Sequence, residues 1–362
     1  MASRAAARPL LACARVHRVP HVSRAFATVS AANPNYVSVV EVGPRDGLQN
    51  ERAVVPPAVK AELITRLGRA GIRTIEAGSF MAGTSEVLSM MEHVPGTHYP
   101  VLVPNMKGLD DLLALLAAEN PPKHTSLPRD PPLTDEIAIF TAATDAFCKA
   151  NTNCTVAESL QRLAPVAERA LKKGLRVRGV VVVCPYTGKV DYNKVKEVTR
   201  ALLDMGCYEV SLGDTVGAGT PGSICAMLET VMGGDGKVAP TKLAAHFHDT
   251  YGSGVANVLA ALDMGLRTVD TAVGGLGGCP YSPGATGNVA TEDVIYALRG
   301  THYQTAGDLD ALAQVGGWIS ATLGKRNESR AGKAILARLE RERTIKERER
   351  DGGAAESLAA KL

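Results

Sequence analysis

The most constraining feature of the sequence is a unit that recurs along most of the chain: a helical stretch, a glycine, and a short run rich in β-branched residues. Gly71, Gly174, Gly206 and Gly265 each follow a helical pattern and precede such a run within a few residues. A glycine just past a helix commonly ends it, because glycine adopts the left-handed conformation without steric cost. The pattern predicts alternating helices and strands, which favours a parallel sheet.

Further apolar runs bring the number of predicted strands to eight. Eight strand–helix units in a chain of this length are typical of a TIM barrel, and a doubly wound open sheet is the second interpretation. We therefore predict an α/β fold, a (β/α)8 TIM barrel, over residues 34–325. The predicted strands are Val37–Glu41, Ile72–Ile75, Pro100–Val103, Glu136–Phe140, Arg176–Val183, Tyr208–Leu212, Leu243–Phe247 and Arg267–Val273.

The two ends of the chain differ in composition from this region. Residues 1–33 contain five arginines and no acidic residue, which is typical of a mitochondrial transit peptide; a disordered basic tail is the alternative. Residues 326–362 are charge-dense and predict an exposed helix or a disordered tail. The final tripeptide Ala360-Lys361-Leu362 is one substitution away from a peroxisomal address. We expect the mitochondrial matrix, with minor peroxisomal targeting as a second destination.

The remaining composition narrows the classes of partner. Without the leader's five arginines, the formal net charge of +3 becomes about −2, so the chain offers no general basic field to nucleic acid. Aromatic residues make up only 4%, and no apolar run is long enough to cross a membrane. The seven cysteines include no CxxC pair, which favours reduced thiols over a structural zinc site. We expect neither a nucleic-acid nor a membrane partner.

Functional groups of a TIM barrel lie at the carboxyl ends of its strands. Directly after the first strand, Arg45 and Asp46 stand between Pro44 and Gly47, which predicts a fixed cation beside a carboxylate. A salt-bridged turn without function is the alternative. On the seventh strand, alternation of side chains puts His246 and His248 on one face, so that the pair could hold a metal ion.

A glycine-rich loop, Val273–Tyr281, follows the eighth strand and carries Cys279 near its tip. The glycines allow the backbone of this loop to approach a ligand closely and allow the loop to move. The thiol of Cys279 is a candidate proton donor. The run Gly217–Gly222 fits GxGxxG, but no acidic residue follows at the spacing that ribose recognition needs. Thr220 and Pro221 instead predict a helix N-cap and first turn.

Four segments resemble the 3-hydroxy-3-methylglutaryl-CoA lyases: Glu41–Asn50, Tyr208–Val216, His246–Gly252 and Gly275–Tyr281. They occur in the order found in that family, and the similarity spans about residues 38–325. The resemblance implies metal-assisted retro-Claisen cleavage of the acyl-CoA into acetyl-CoA and acetoacetate, in leucine degradation and ketone-body formation. It also implies a homodimer.

The resemblance also implies roles for individual residues. Asp46, His246, His248 and Asn288 would bind Mg²⁺ or Mn²⁺, with Asp46 also counted as catalytic. Arg45 would bind substrate and stabilise the enolate, which Cys279 would protonate. The remaining implied site residues are Glu76 and Glu292, which orient site groups, and Gln49 and Thr215, which bind substrate.

The chain departs from the family pattern in two loops, which are shorter after Phe80 and after Val183. Both follow strands and so belong to the face that carries the predicted site. Three hypotheses result: an active lyase, a related metallolyase or condensing enzyme with altered acyl specificity, and a catalytically inactive paralogue.

Overall fold

The structure, a computed structural model, describes residues 33–49, 51, 54–80, 84–119, 132–183, 190–278 and 287–359. The residues from Asn35 onwards form one compact unit. Several predicted features lie outside the described residues, and they stay predictions together with the domain boundaries at 33 and 325: the transit peptide up to residue 32, the shortened loops after Phe80 and Val183, Cys279, and Ala360–Leu362.

Nine strand segments make up one parallel sheet within the described residues. They are β1 (Ser38–Glu41), β2 (Thr74–Ile75), β3 (Gly78–Ser79), β4 (Val101–Leu102), β5 (Glu136–Ala142), β6 (Arg176–Val182), β7 (Val210–Asp214), β8 (Leu243–Phe247) and β9 (Thr268–Thr271). Their order is β2-β1-β9-β8-β7-β6-β5-β4-β3. All eight predicted strands are present.

The segments β2 and β3 are two parts of a single strand, interrupted at Glu76 and Ala77. β2 pairs with β1, whereas β3 pairs with β4. At the interruption the Glu76 amide donates to the Glu41 carbonyl on one side, and the Ala77 amide donates to the Pro100 carbonyl on the other. The two ends of the sheet order therefore meet in one strand. This closure confirms the TIM barrel and shows that the open-sheet interpretation was wrong.

Helices alternate with the strands, and the sequence signals mark their ends. Thr155 and Glu158 form the predicted capping box, and Thr220 caps the helix that begins at Pro221. The main α-helices of the described residues are α1 (Pro57–Arg69), α2 (Thr84–Met90), α3 (Met106–Glu119), α4 (Asp145–Thr152), α5 (Val156–Lys172), α6 (Tyr192–Asp204), α7 (Pro221–Met232), α8 (Gly254–Asp263), α9 (Thr291–Leu298), α10 (Leu309–Thr322) and α11 (Arg330–Ala359). None of them is long and apolar enough to span a membrane.

The first turns of α11 pack on the barrel. Ile335 is buried in the main apolar core. Asp293, on α9, accepts hydrogen bonds from the Ser329 hydroxyl and the Ala331 amide, both at 2.7 Å. Arg330 pairs with Asp249 at 3.1 Å. The start of this helix is thus attached to the first turn of α9 and to the loop after β8.

The capping box of α5 gives a direct test of the local folding signals. Replacing Thr155→Ala removes the hydroxyl that accepts the Glu158 amide, so we expect the free energy of unfolding to fall by about 1 kcal/mol. Urea titration of both proteins measures the change. The control is Thr230→Ala, because that exposed hydroxyl only bonds back to its own helix; we expect a change within about 0.5 kcal/mol. Equal losses in the two variants would contradict the capping role.

Candidate metal centre

A tight π-helical turn, Gly43–Gly47, places Arg45 and Asp46 directly beyond β1. The Val42 carbonyl accepts the amides of Arg45, Asp46 and Gly47 at 3.2, 2.8 and 3.1 Å. Turns of this kind are rare and occur often at functional sites. The result is a fixed presentation of two oppositely charged side chains at the mouth of the barrel.

The guanidinium of Arg45 is held between two carboxylates. Its Nε donates to Glu76 Oε2 at 2.7 Å, and its Nη1 donates to Asp46 Oδ1 at 2.8 Å. Burial opposes the charge of Arg45, but Glu76 and Asp46 outweigh burial and raise the pKa of the guanidinium. Glu76 itself is buried in the interruption between β2 and β3. Arg45 is therefore a charged group of fixed orientation.

Three ligating side chains converge beside Arg45: Asp46, His246 and His248 have ligand atoms within 4.8 Å of one another. Burial alone would raise the pKa of Asp46, but Arg45 and then the two histidines lower it to about 2, so Asp46 is ionised. His246 and His248 lie on the same face of their strand, as alternation predicted, with ring centroids 5.7 Å apart. Phe247 between them packs in the apolar core.

Asn288 completes the group. Its Nδ2 donates to Asp46 Oδ2 at 2.9 Å and to the Leu276 carbonyl at 3.2 Å. Its Oδ1 is buried and accepts no hydrogen bond among the described residues. Burying an amide oxygen without a partner costs free energy, and a bound cation would supply that partner. The donor set of a carboxylate, two imidazoles and an amide oxygen fits a divalent metal ion.

The turn that leads into the glycine-rich loop is held by two buried carboxyl groups. Glu41 Oε1 accepts the Val273 amide at 2.9 Å, and Glu292 Oε2 accepts the Gly274 amide at 2.9 Å. The Gly274 carbonyl in turn accepts the amide of Glu328 at 2.9 Å. Gly274 has a φ of +66°, which an L side chain rarely adopts. The base of the loop is therefore fixed from both sides.

Comparison with known proteins identifies the family of this site. The family model described as HMGL-like matches residues 36–319. The chain is 46% identical to the cytoplasmic 3-hydroxy-3-methylglutaryl-CoA lyase of Rattus norvegicus, covering 85% of this chain and 87% of that protein. It is 45% identical to the mitochondrial hydroxymethylglutaryl-CoA lyase of Bos taurus, with 86% and 93% covered. The chain belongs to the HMGL-like family, among the 3-hydroxy-3-methylglutaryl-CoA lyases.

Solved structures of this lyase family resemble the fold closely. The hydroxymethylglutaryl-CoA lyase of Pseudomonas aeruginosa is 45% identical with a TM-score of 0.76, covering 84% of this chain and 99% of that one. An HMG-CoA lyase of Acinetobacter baumannii, solved with coenzyme A and 3-methylmalate, is 32% identical with a TM-score of 0.73; 83% of this chain and 95% of that one are covered.

The structure describes three of the four other residues implied by the lyase resemblance. Thr215 is half-buried directly after β7, and Gln49 is exposed just beyond the π-helical turn. A Cβ at Gly213 would lie 3.4 Å from His246 Cδ2 and 3.5 Å from Thr215 Cγ2, which places those two side chains close together. Glu292 contacts the turn beneath the loop, and Cys279 lies outside the described residues.

The sequence analysis missed three polar residues that support the lyase site. Asp270 on β9 contacts His246, and Arg178 on β6 binds Asp270. Asp214 accepts the amides of Gly217 and Gly219 at 3.0 and 2.7 Å, so this glycine run wraps a carboxylate of the chain itself. A charged residue at an alternate position in an otherwise apolar strand was the signal that could have found Arg178 and Asp270.

Glu292 gives a pH-dependent prediction for this lyase fold. Burial raises its pKa to about 8 from a usual value of 4.5. Between these values the unfolded chain has lost the proton that the folded protein keeps, so stability falls as pH rises, by up to about 1.4 kcal/mol per pH unit. Glu292→Gln should make the decline in the free energy of unfolding between about pH 5 and about pH 8 less steep, as measured by urea titration. The decline that remains comes in part from Glu41, because burial raises its pKa to about 7.

The control for this pH dependence is Glu158→Gln. Hydrogen bonds from Thr155 lower the pKa of this exposed carboxylate, so its stabilisation is lost only in more acidic solution. The decline above about pH 5 should therefore persist in the control. An unchanged slope in Glu292→Gln would contradict a buried, protonated Glu292.

Proposed function

We propose that this chain is a divalent-metal-dependent acyl-CoA lyase that cleaves 3-hydroxy-3-methylglutaryl-CoA into acetyl-CoA and acetoacetate. The observation that carries the proposal is the cluster of Asp46, His246 and His248 with the fixed guanidinium of Arg45 beside it. The names of the relatives support the substrate, and the relative solved with coenzyme A supports an acyl-CoA ligand.

Asp46, His246, His248 and Asn288 would hold the ion, which we propose to be Mg²⁺ or Mn²⁺. When bound there, it supplies Lewis-acid chemistry that makes a substrate hydroxyl more acidic. Arg45 already forms an ion pair with Asp46, so the metal-binding carboxylate and the guanidinium are both held in position before substrate binds. The donor atoms thus need little reorganisation on binding.

The cleavage is a retro-Claisen reaction. The C3 hydroxyl gives its proton to a base and becomes the ketone of acetoacetate, while the C2–C3 bond breaks and its electron pair forms the thioester enolate. Arg45 is placed to stabilise the negative oxygen of that enolate, and Glu76 keeps the guanidinium in position through bonds to Nε and Nη2. Because Arg45 is preorganised, it stabilises charge without moving during the reaction.

A proton delivered to C2 of the enolate completes acetyl-CoA. We assign this proton to Cys279, because the glycine-rich loop that carries it starts from the fixed turn next to Asn288. Gln49 and Thr215 are the further substrate contacts of the proposal, since one lies exposed beyond the π-helical turn and the other follows β7.

A second function is a lyase with altered acyl specificity. The shorter loops after Phe80 and Val183 favour it, because loops on the carboxyl face shape the pocket of a TIM barrel. A Pseudomonas aeruginosa relative named 3-hydroxy-3-isohexenylglutaryl-CoA/hydroxy-methylglutaryl-CoA lyase is 46% identical, with 84% of this chain and 99% of that protein covered. An inactive paralogue is the third hypothesis, and the intact donor set speaks against it.

The ends of the sequence and the names of the relatives support a proposal for the cellular location. We propose residues 1–33 as a mitochondrial transit peptide, 34–325 as the catalytic barrel and 326–362 as the tail. The matrix is the proposed location, in keeping with relatives named mitochondrial, and Ala360-Lys361-Leu362 is proposed to add minor peroxisomal targeting. A homodimer is proposed from the family resemblance alone.

The activity test follows acetoacetate during incubation of the full-length protein with 3-hydroxy-3-methylglutaryl-CoA. We expect product only with Mg²⁺ or Mn²⁺, because a chelator removes the ion from Asp46 and its neighbours. Asp46→Asn should lower the rate by more than about 100-fold, since a neutral amide replaces the ionised ligand. Asp235→Asn, at an exposed position, is the matched control. Cleavage only of a bulkier acyl-CoA would favour the altered-specificity alternative.

Cys279→Ala tests the proton donor. We expect kcat to fall by about 10²–10⁴ with little change in KM, because the thiol acts after substrate has bound. Steady-state kinetics with the same substrate measure both constants. The control is Cys225→Ala, which changes a half-buried cysteine on α7. Full activity in Cys279→Ala would require a different proton donor.

A further inference from the structure

Inside the barrel, Arg178 on β6 joins two carboxylates, one directly before β7 and the other on β9. Its guanidinium donates to Asp270 Oδ1 at 2.7 Å through Nη2 and to Asp270 Oδ2 at 3.3 Å through Nη1. Its Nε donates to Glu209 Oε1 at 3.0 Å. Only 2% of the Arg178 side chain is exposed, so this ion pair is shielded from water. A buried guanidinium with both partners in place fixes them firmly.

Asp270 extends this buried network to the metal centre. Its Oδ2 accepts the Ser211 hydroxyl at 2.7 Å and lies 3.2 Å from His246 Nδ1. Both oxygens of Asp270 accept hydrogen bonds from the Arg178 guanidinium, so this side chain is paired as a carboxylate. An ionised carboxylate only accepts hydrogen bonds, so the hydrogen shared with His246 belongs to Nδ1. In the neutral ring, Nε2 then keeps the lone pair that a cation needs.

The network also sets the charge around the centre. Two carboxylates, Glu209 and Asp270, share one guanidinium, which leaves one unit of negative charge. Asp46 adds a second, because Arg45 is already balanced by Glu76. A divalent cation would neutralise the two. Among these six groups, the charge balance favours a divalent cation.

We propose that Asp270, held by Arg178, is a positioning residue that fixes the tautomer and orientation of His246 and thereby strengthens the binding of a divalent cation. The inference rests on the proposed function, because it requires a cation at Asp46 and His246. The alternative is an ion pair that only stabilises the barrel. Arg176 offers that comparison: two residues earlier on β6, it pairs with the buried Glu136 and lies over the Tyr208 ring.

The first experiment measures Mn²⁺ binding to the full-length protein by electron paramagnetic resonance of the free ion. Asp270→Asn should raise the Mn²⁺ dissociation constant by about 10–100-fold, because the amide no longer fixes the Nδ1 hydrogen. Arg178→Lys keeps the charge but loses the bidentate geometry, so it should also weaken binding. The control Arg176→Lys makes the same change at the comparison pair, and Mn²⁺ binding should stay within about twofold of wild type.

A second measurement determines the tautomer of His246 in the wild-type protein. In ¹⁵N-histidine spectra of the metal-free protein in alkaline solution, with His246 assigned through His246→Gln, we expect the hydrogen on Nδ1. An Nε2–H tautomer would overturn the proposal, as would equal Mn²⁺ dissociation constants for wild type, Asp270→Asn and Arg178→Lys. Failure of the wild-type protein to bind Mn²⁺ would instead contradict the proposed function. If Asp270→Asn and the control Arg176→Lys lose Mn²⁺ affinity to the same extent, the network only stabilises the barrel and the proposal is wrong.

Discussion

Closure of the sheet through one interrupted strand is the constraint on which the rest of the molecule depends. β1 pairs with β2, and β4 pairs with β3, so residues 74–79 complete the hydrogen bonding of both neighbours. In a closed parallel barrel every carboxyl strand end faces the same rim. Side chains that are far apart in the sequence, such as Asp46 and His248, consequently meet there.

The strands could be predicted because parallel strands buried on both faces are continuous apolar runs, and glycines end the helices before them. The interruption at Glu76 and Ala77 could not be predicted from the sequence. It depends on hydrogen bonds to Glu41 and Pro100, which only the closed barrel brings together. Local signals were sufficient for the capping of α5 at Thr155 because both partners lie within one turn.

The candidate metal centre also has features that local sequence patterns predict and features that they do not. Alternation along one strand was enough to put His246 and His248 on the same face. No local pattern reveals that Asp270 binds Arg178, which precedes it by 92 residues. The family resemblance supplied Asn288 as a ligand, and the structure adds a reason: its Oδ1 is buried without a hydrogen bond among the described residues. Long-range polar contacts were therefore the part that sequence reasoning missed.

Residues 328–330, which lead into α11, attach this helix to the rim of the site. Glu328 donates to the Gly274 carbonyl, Arg330 pairs with Asp249, and Ser329 donates to Asp293. These residues leave the ribosome after every strand of the barrel. A nascent chain can thus assemble its sheet before it possesses the segment that secures the glycine turn. Fixing of the glycine turn can therefore follow closure of the barrel.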